Sequence, residues 1–223
     1  MKKVFFLAVI SLFTFNLSPF TSHLSPLRAQ IPAEVTEVMD KCQAAMKNPK
    51  GLEYTMDMKV AMGPVTLTNS RLVMGSKGDM DRALVTMKIV GVEVTMESGY
   101  DGNETWEIMN TGKADTITIT KGAKDRNNSD GADLDLAKGF SKAKMKLKDG
   151  YYEIDFSDPI DKKSEIKKLS LKVAAKNYYL HEMRTSAKGA RVTMTITKIK
   201  IGLKDDYFRL DLSKYPNAVV VRK

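Results

Sequence analysis

The chain has 223 residues, 43% of them hydrophobic and 28% charged, with a formal charge of +9 at neutral pH. That balance excludes a disordered polar chain, and a single cysteine, Cys42, excludes an intrachain disulfide. Three positive charges (Lys2, Lys3, Arg28) and no negative ones fall in the first thirty residues, so the remainder carries +6, a mild excess that favours solubility and contact with anionic surfaces.

Met1-Lys2-Lys3 is followed by an apolar run over 4–17 and a polar stretch ending Leu27-Arg28-Ala29-Gln30. A basic start, a short greasy segment and a small residue near its end have the form of a secretory signal peptide. The run is also shorter than the roughly 20 residues of a spanning helix. Residues 1–30 are therefore assigned to a removed signal peptide, and 31–223 to a single exported domain. No base-reading motif occurs, so nucleic acid is not an expected partner.

Residues 33–47 predict a helix, with Val35, Val38, Met39, Cys42 and Met46 on one stripe, Pro32 at its start and Asn48-Pro49-Lys50-Gly51 at its end. The next stretch, LEYTMDMKVAM, alternates Leu52, Tyr54, Met56, Met58, Val60 and Met62 with Glu53, Thr55, Asp57, Lys59 and Ala61. A period of two marks a strand with one apolar and one wet face. Further strands are predicted around Val85–Ile89 and Val92–Met96 with a turn at Gly91, around Trp106 and Ile108, and around Ile117 and Ile119. The segment 121–133 reads as a loop, followed by a short helix capped by Asp133 with Leu134, Leu136, Ala137 and Phe140 as its apolar residues. Strands resume at Met145–Leu147, Tyr152–Phe156, Leu169–Val173, Leu180, Val192–Ile196 and Phe208–Leu212. No helices alternate with them, so a mainly β (α+β) fold is expected: about ten strands in one curved antiparallel sheet, its helices on one face.

Motifs for chemistry are sparse. His23 leaves with the signal peptide, His181 stands alone in YYLHEMR, and no G-x-S-x-G occurs. One histidine and one cysteine do not make a zinc site. In DRNNSDGADLD, Asp125, Asn127 and Ser129 fall at positions 1, 3 and 5 of a calcium loop. The glycine comes one residue late at Gly131, however, and position 12 is Leu136. No catalytic residue, metal or cofactor is expected, and the chain reads as a non-enzyme.

Methionine is the unusual residue, recurring at inward strand positions: Met56, Met58, Met62, Met87, Met96 and Met194. Its flexible thioether adapts to irregular apolar shapes. Either these residues fill a core beneath the helices, or they line a cavity left where two short helices fail to cover a long sheet.

The C-terminal third, from Leu169 to the end, carries Gly189, the strand Thr193-Met194-Thr195-Ile196-Thr197, Asp205/Asp206 with Phe208 and Leu210, and Tyr215-Pro216 with Val219 and Val220. In that order these pieces resemble the periplasmic outer-membrane lipoprotein carrier (LolA-like) family. The first strand Leu52–Gly63 and the Gly102–Trp106 element extend the resemblance over most of the exported chain. Where such carriers open the third strand with an Arg-Pro pair, this chain has Gly75-Ser76-Lys77-Gly78-Asp79. The resemblance implies an incomplete β-barrel whose concave apolar face is covered by two short helices. It also implies a periplasmic carrier that takes acyl chains of lipoproteins or lipids from a donor and hands them to an acceptor in the envelope. On the apolar strand faces, the expected ligand-binding residues are Tyr54, Met56, Met58, Val92, Val94, Met96, Trp106, Ile108, Leu171, Val192, Met194 and Ile196, with Leu136 and Phe140 as lid residues. The competing expectation is an envelope sensor or scaffold of the same fold with a self-filled core.

Overall fold

A computed structural model describes residues 31–89, 92–110, 115–122, 134–187 and 189–223. The signal peptide, the turn at Gly91 and the calcium-loop positions Asp125, Asn127 and Ser129 lie outside the described residues. Helix α1 spans Ala33–Met46. The strands are β1 (Leu52–Met62), β2 (Val65–Lys77), β3 (Met80–Ile89), β4 (Val92–Tyr100), β5 (Glu104–Asn110), β6 (Thr116–Lys121), β7 (Phe140–Lys148), β8 (Tyr151–Pro159), β9 (Ile166–Ala174), β10 (Leu180–Ala187), β11 (Ala190–Ile201) and β12 (Val219–Arg222).

All twelve strands form one sheet in the order β12-β6-β5-β4-β3-β2-β1-β11-β10-β9-β8-β7, left unclosed with β12 and β7 at its edges. Directly paired residues on neighbouring strands point to the same face, so the registers assign faces across the whole sheet. One rung runs Val94–Met87–Ser70–Met58–Met194–Met183–Leu171–Ile154–Met145, crossing from β4 to β7. A second, on the opposite face, runs Gly75–Arg82–Gly99–Trp106–Ile119 from β2 to β6.

Each face has its own core. The α1 stripe of Val35, Val38, Cys42 and Met46 packs with Leu52 and Tyr54, Ile196, Leu169, Leu171, Val173, Ile154 and Phe156, covering β1 and β11 through β8. On the opposite face, Trp106, Ile108, Ile117 and Ile119 are capped by Leu210, Tyr215 and Ala218 from the C-terminal tail. Two glycines make room for rings there. A Cβ on Gly75 would stand 2.5 Å from the Tyr207 ring, and one on Gly99 would stand 2.5 Å from Trp106.

Three sequence expectations need correction. The second helix is only a six-residue 3-10 turn, Leu134–Gly139, after which Phe140 opens β7. Ile160 donates its backbone N–H to Gly139, tying that turn to the end of β8 and starting the strand there. The strand expected over Phe208–Leu212 is instead two 3-10 turns, Asp205–Phe208 and Leu212–Lys214, because the chain leaves the sheet and crosses its face. That crossing brings β12 back alongside β6 in parallel, so the sheet is antiparallel everywhere but at this edge.

Cys42 sits buried in the seam between α1 and the sheet, and burial pushes its thiol pKa up to about 12. At neutral pH a thiol reagent should leave the native protein unlabelled and modify it fully in denaturant, since only the thiolate reacts. Labelling under native conditions would show α1 leaving the sheet.

Candidate functional site

The registers put ten of the twelve expected ligand residues on the face that carries α1: Tyr54, Met56, Met58, Val92, Val94, Met96, Leu171, Val192, Met194 and Ile196. They do not all meet in one space. Tyr54, Leu171 and Ile196 belong to the closed core beneath α1, and Met56 borders it. Phe140 also lies in that core, its ring 6.2 Å from that of Phe156, so it is a wall residue of β7 rather than part of a helical lid. The side chain of Leu136 lies outside the described residues.

Beyond the core, towards the β1–β2 turn, the same face continues over β4, β3, β2, β1 and β11. Here Met58 is 8% exposed, Val60 5% and Met87 4%, yet none of them belongs to the cluster packed on α1. Val94, Met96, Val192 and Met194 are half-buried around them. This stretch, hereafter the trough, is almost wholly apolar and rich in methionine. The alternating strand directions bring the β1–β2 and β3–β4 turns and the end of β5 to one end of the sheet. Met62, Val65, Val92 and Met109 stand exposed along that rim. Val92 therefore marks the rim rather than the interior.

Trp106 and Ile108 are the clear correction. Trp106 pairs with Gly99 and Ile108 with Glu97, whereas Met96 pairs with Met109. Both therefore face away from the methionines and lie buried under the C-terminal tail. On this tail face, Arg82 Nε donates to Glu97 Oε1 at 2.6 Å and Nη1 donates to the Tyr207 carbonyl at 2.8 Å. The guanidinium lies over the rings of Trp106 and Tyr207. The Tyr215 hydroxyl donates to the other Glu97 oxygen at 2.9 Å, and Trp106 Nε1 donates to the Phe208 carbonyl at 3.2 Å. Burial, helped by the Glu97 carboxylate, pushes the Tyr215 phenol up to about 12. The recess bounded by Arg82, Glu97, Trp106 and Tyr215 holds about 10 Å³, room for a single water. This network fastens the tail and offers no substrate cavity.

Ser70, in the trough, was not singled out from the sequence. It is 6% exposed, and its Oγ has no hydrogen-bond partner. The available signal was its inward parity with Leu72 and Met74 in β2. The His181 ring lies 5.0 Å from that of Tyr151 in a tilted arrangement, and among the described residues no group of three His, Cys, Asp or Glu is placed to hold a metal ion.

No family model matches the sequence, and no curated protein matches it. Among solved structures, the chain is similar to the Mycobacterium tuberculosis lipoprotein LppX, with a TM-score of 0.53, 11% identity, and coverage of 78% of this chain and 98% of that one. It is also similar to an uncharacterized conserved protein from Thermus thermophilus, with a TM-score of 0.50, 9% identity, and coverage of 85% and 99%. A LolA superfamily protein from Nitrosomonas europaea aligns with a TM-score of 0.34 at 13% identity, covering 79% and 97%. The chain therefore shares the fold of the LppX and Thermus thermophilus structures.

Replacing Arg82 with Met leaves the Glu97 carboxylate, 8% exposed, without its countercharge. Breaking a buried pair on one side should cost about 3 kcal/mol. Adding Glu97→Leu should recover most of that loss in urea unfolding, a coupling that two independent sites would not show.

Proposed function

We propose that this protein is an exported, non-enzymatic carrier that seats the acyl chains of lipids or lipoproteins in the methionine-lined trough and hands them to a partner in the envelope. The observation that carries this reading is the apolar, methionine-rich stretch of sheet face that lies outside the cluster packed on α1. A run of inward apolar residues from β4 to β11 continues past the end of the packed core, and it ends at an apolar rim. The LolA-like fold supports it at the level of architecture. In this reading the unclosed sheet curls into a partial barrel, with α1 closing one half and the ligand occupying the other.

The magnitudes suit a carrier. Each buried methylene contributes roughly 0.8 kcal/mol, so about a dozen supply on the order of 10 kcal/mol before ordering and association costs. What remains is enough to hold a chain and small enough to release it. Thioethers repack around chains of different shape at little cost, which a rigid slot of branched side chains would not allow.

The closed core beneath α1 favours a second reading, a scaffold filled by its own side chains. Native mass spectrometry of protein purified from its own envelope separates the two, since co-purifying acyl species support the carrier and clean protein supports the scaffold. The residue-level test is a charge in the trough. Met58→Glu or Met194→Glu should weaken binding of a fluorescent acyl probe at least tenfold, because a buried carboxylate next to hydrocarbon is strongly disfavoured. Leu147→Glu, at a side chain 65% exposed, should leave binding unchanged. Unchanged binding in both trough variants would place the ligand elsewhere.

A further inference from the structure

Ser70 is the only polar residue in the rung that runs from Val94 to Met145, flanked directly by Met58 on β1 and Met87 on β3. Its hydroxyl is buried and unpartnered. Buried polar groups are nearly always paired, and one left unmade destabilises the folded chain without return. A hydroxyl kept in that state at the floor of an apolar trough is explained if a ligand completes it.

The surroundings restrict what that ligand group is. Along β2 the neighbouring inward residues are Thr68 and Leu72, and across the sheet both neighbours are methionines. No charged side chain shares this part of the face among the described residues. A carboxylate or phosphate would therefore be buried without a countercharge, which is costly. A neutral acceptor suits the site, and the neutral acceptor attached to every ester- or amide-linked fatty chain is its carbonyl oxygen.

We propose that Ser70 Oγ donates a hydrogen bond to the acyl carbonyl of the bound chain. It would fix the depth to which the chain enters and let the trough distinguish acyl from alkyl chains. This rests on the carrier reading above and goes further, since a trough selecting by hydrophobicity alone would need no hydroxyl.

The test uses the exported protein, residues 31–223, and three probes of matched length: methyl palmitate, N-methylpalmitamide and hexadecyl methyl ether. The wild type is expected to bind at least one carbonyl probe about tenfold more tightly than the ether. Whichever of ester and amide binds better identifies the linkage of the acyl chain that the site prefers. In Ser70→Ala that preference should vanish while ether binding stays the same. The infrared stretch of a ¹³C-labelled carbonyl, lowered in the wild type by the hydrogen bond, should return to its value in hydrocarbon. The unliganded variant should melt at or above the wild-type temperature, because a merely structural serine bond would instead be lost. If all three probes bind the wild type equally, the anchor is refuted and the carrier stands. If Ser70→Ala keeps the carbonyl preference or melts well below the wild type, the anchor is likewise refuted. If no probe binds the wild type at all, the carrier reading fails and the anchor falls with it.

Discussion

A sheet has two faces, and a twelve-stranded sheet has more of both than this chain can cover with helix. Among the described residues there is one α-helix, fourteen residues long, and it reaches only the half of one face that runs from β1 and β11 towards β7. An α-helix rises 1.5 Å per residue and exposes one apolar stripe about 10 Å across, while each added strand widens the sheet by nearly 5 Å. The shortfall is geometric, and the chain meets it differently on its two faces. On one, the C-terminal tail lies down as an irregular cover. On the other, the methionine region continues past the edge of the helix.

The difference between the two covers explains where the polar residues went. A helix satisfies its own backbone and needs only an apolar stripe to dock, which is what Val35, Val38, Cys42 and Met46 provide. A tail of two 3-10 turns brings unpaired carbonyls against the sheet. Arg82 and Trp106 answer two of these, at Tyr207 and Phe208, and Glu97 is held by Arg82 and the Tyr215 hydroxyl. Outside the tail, Lys77 reaches Asp205 at 2.7 Å and marks where the cover begins.

Alternation within a strand was legible from sequence, because period two and period 3.6 are read directly from apolar spacing. Helix α1, β1 and the β9–β11 region stood out for that reason. The relation between strands was not legible. Trp106 and Ile108 alternate cleanly within β5, but only the length of the turn after Tyr100 decides that Trp106 opposes Gly99 and so faces the tail. A one-residue change in that turn would have put both among the methionines. Phe208, Leu210 and Leu212 carry a strand's spacing without a strand, because the chain here lies across the sheet face, where tertiary contacts override local pattern. The second helix ends at Gly139, where Phe140 begins to pair with Pro159 as the first residue of β7.

The trough joins two features that stability alone would remove. Branched aliphatic residues would pack this face more tightly than methionine, and alanine in place of Ser70 would relieve a buried group that bonds to nothing. Natural chains keep such local costs chiefly where function needs them, because selection for stability acts only up to a threshold. Softness and an unfilled hydrogen bond also act in the same direction. In the proposed carrier both would lower the stability of the empty protein relative to one holding an acyl chain, so that binding energy would be gained partly by repairing the host. In the carrier proposed above, cargo would be held through relief of these defects, and a second apolar surface at the rim would need to offer the chain only slightly more than that relief to draw it out.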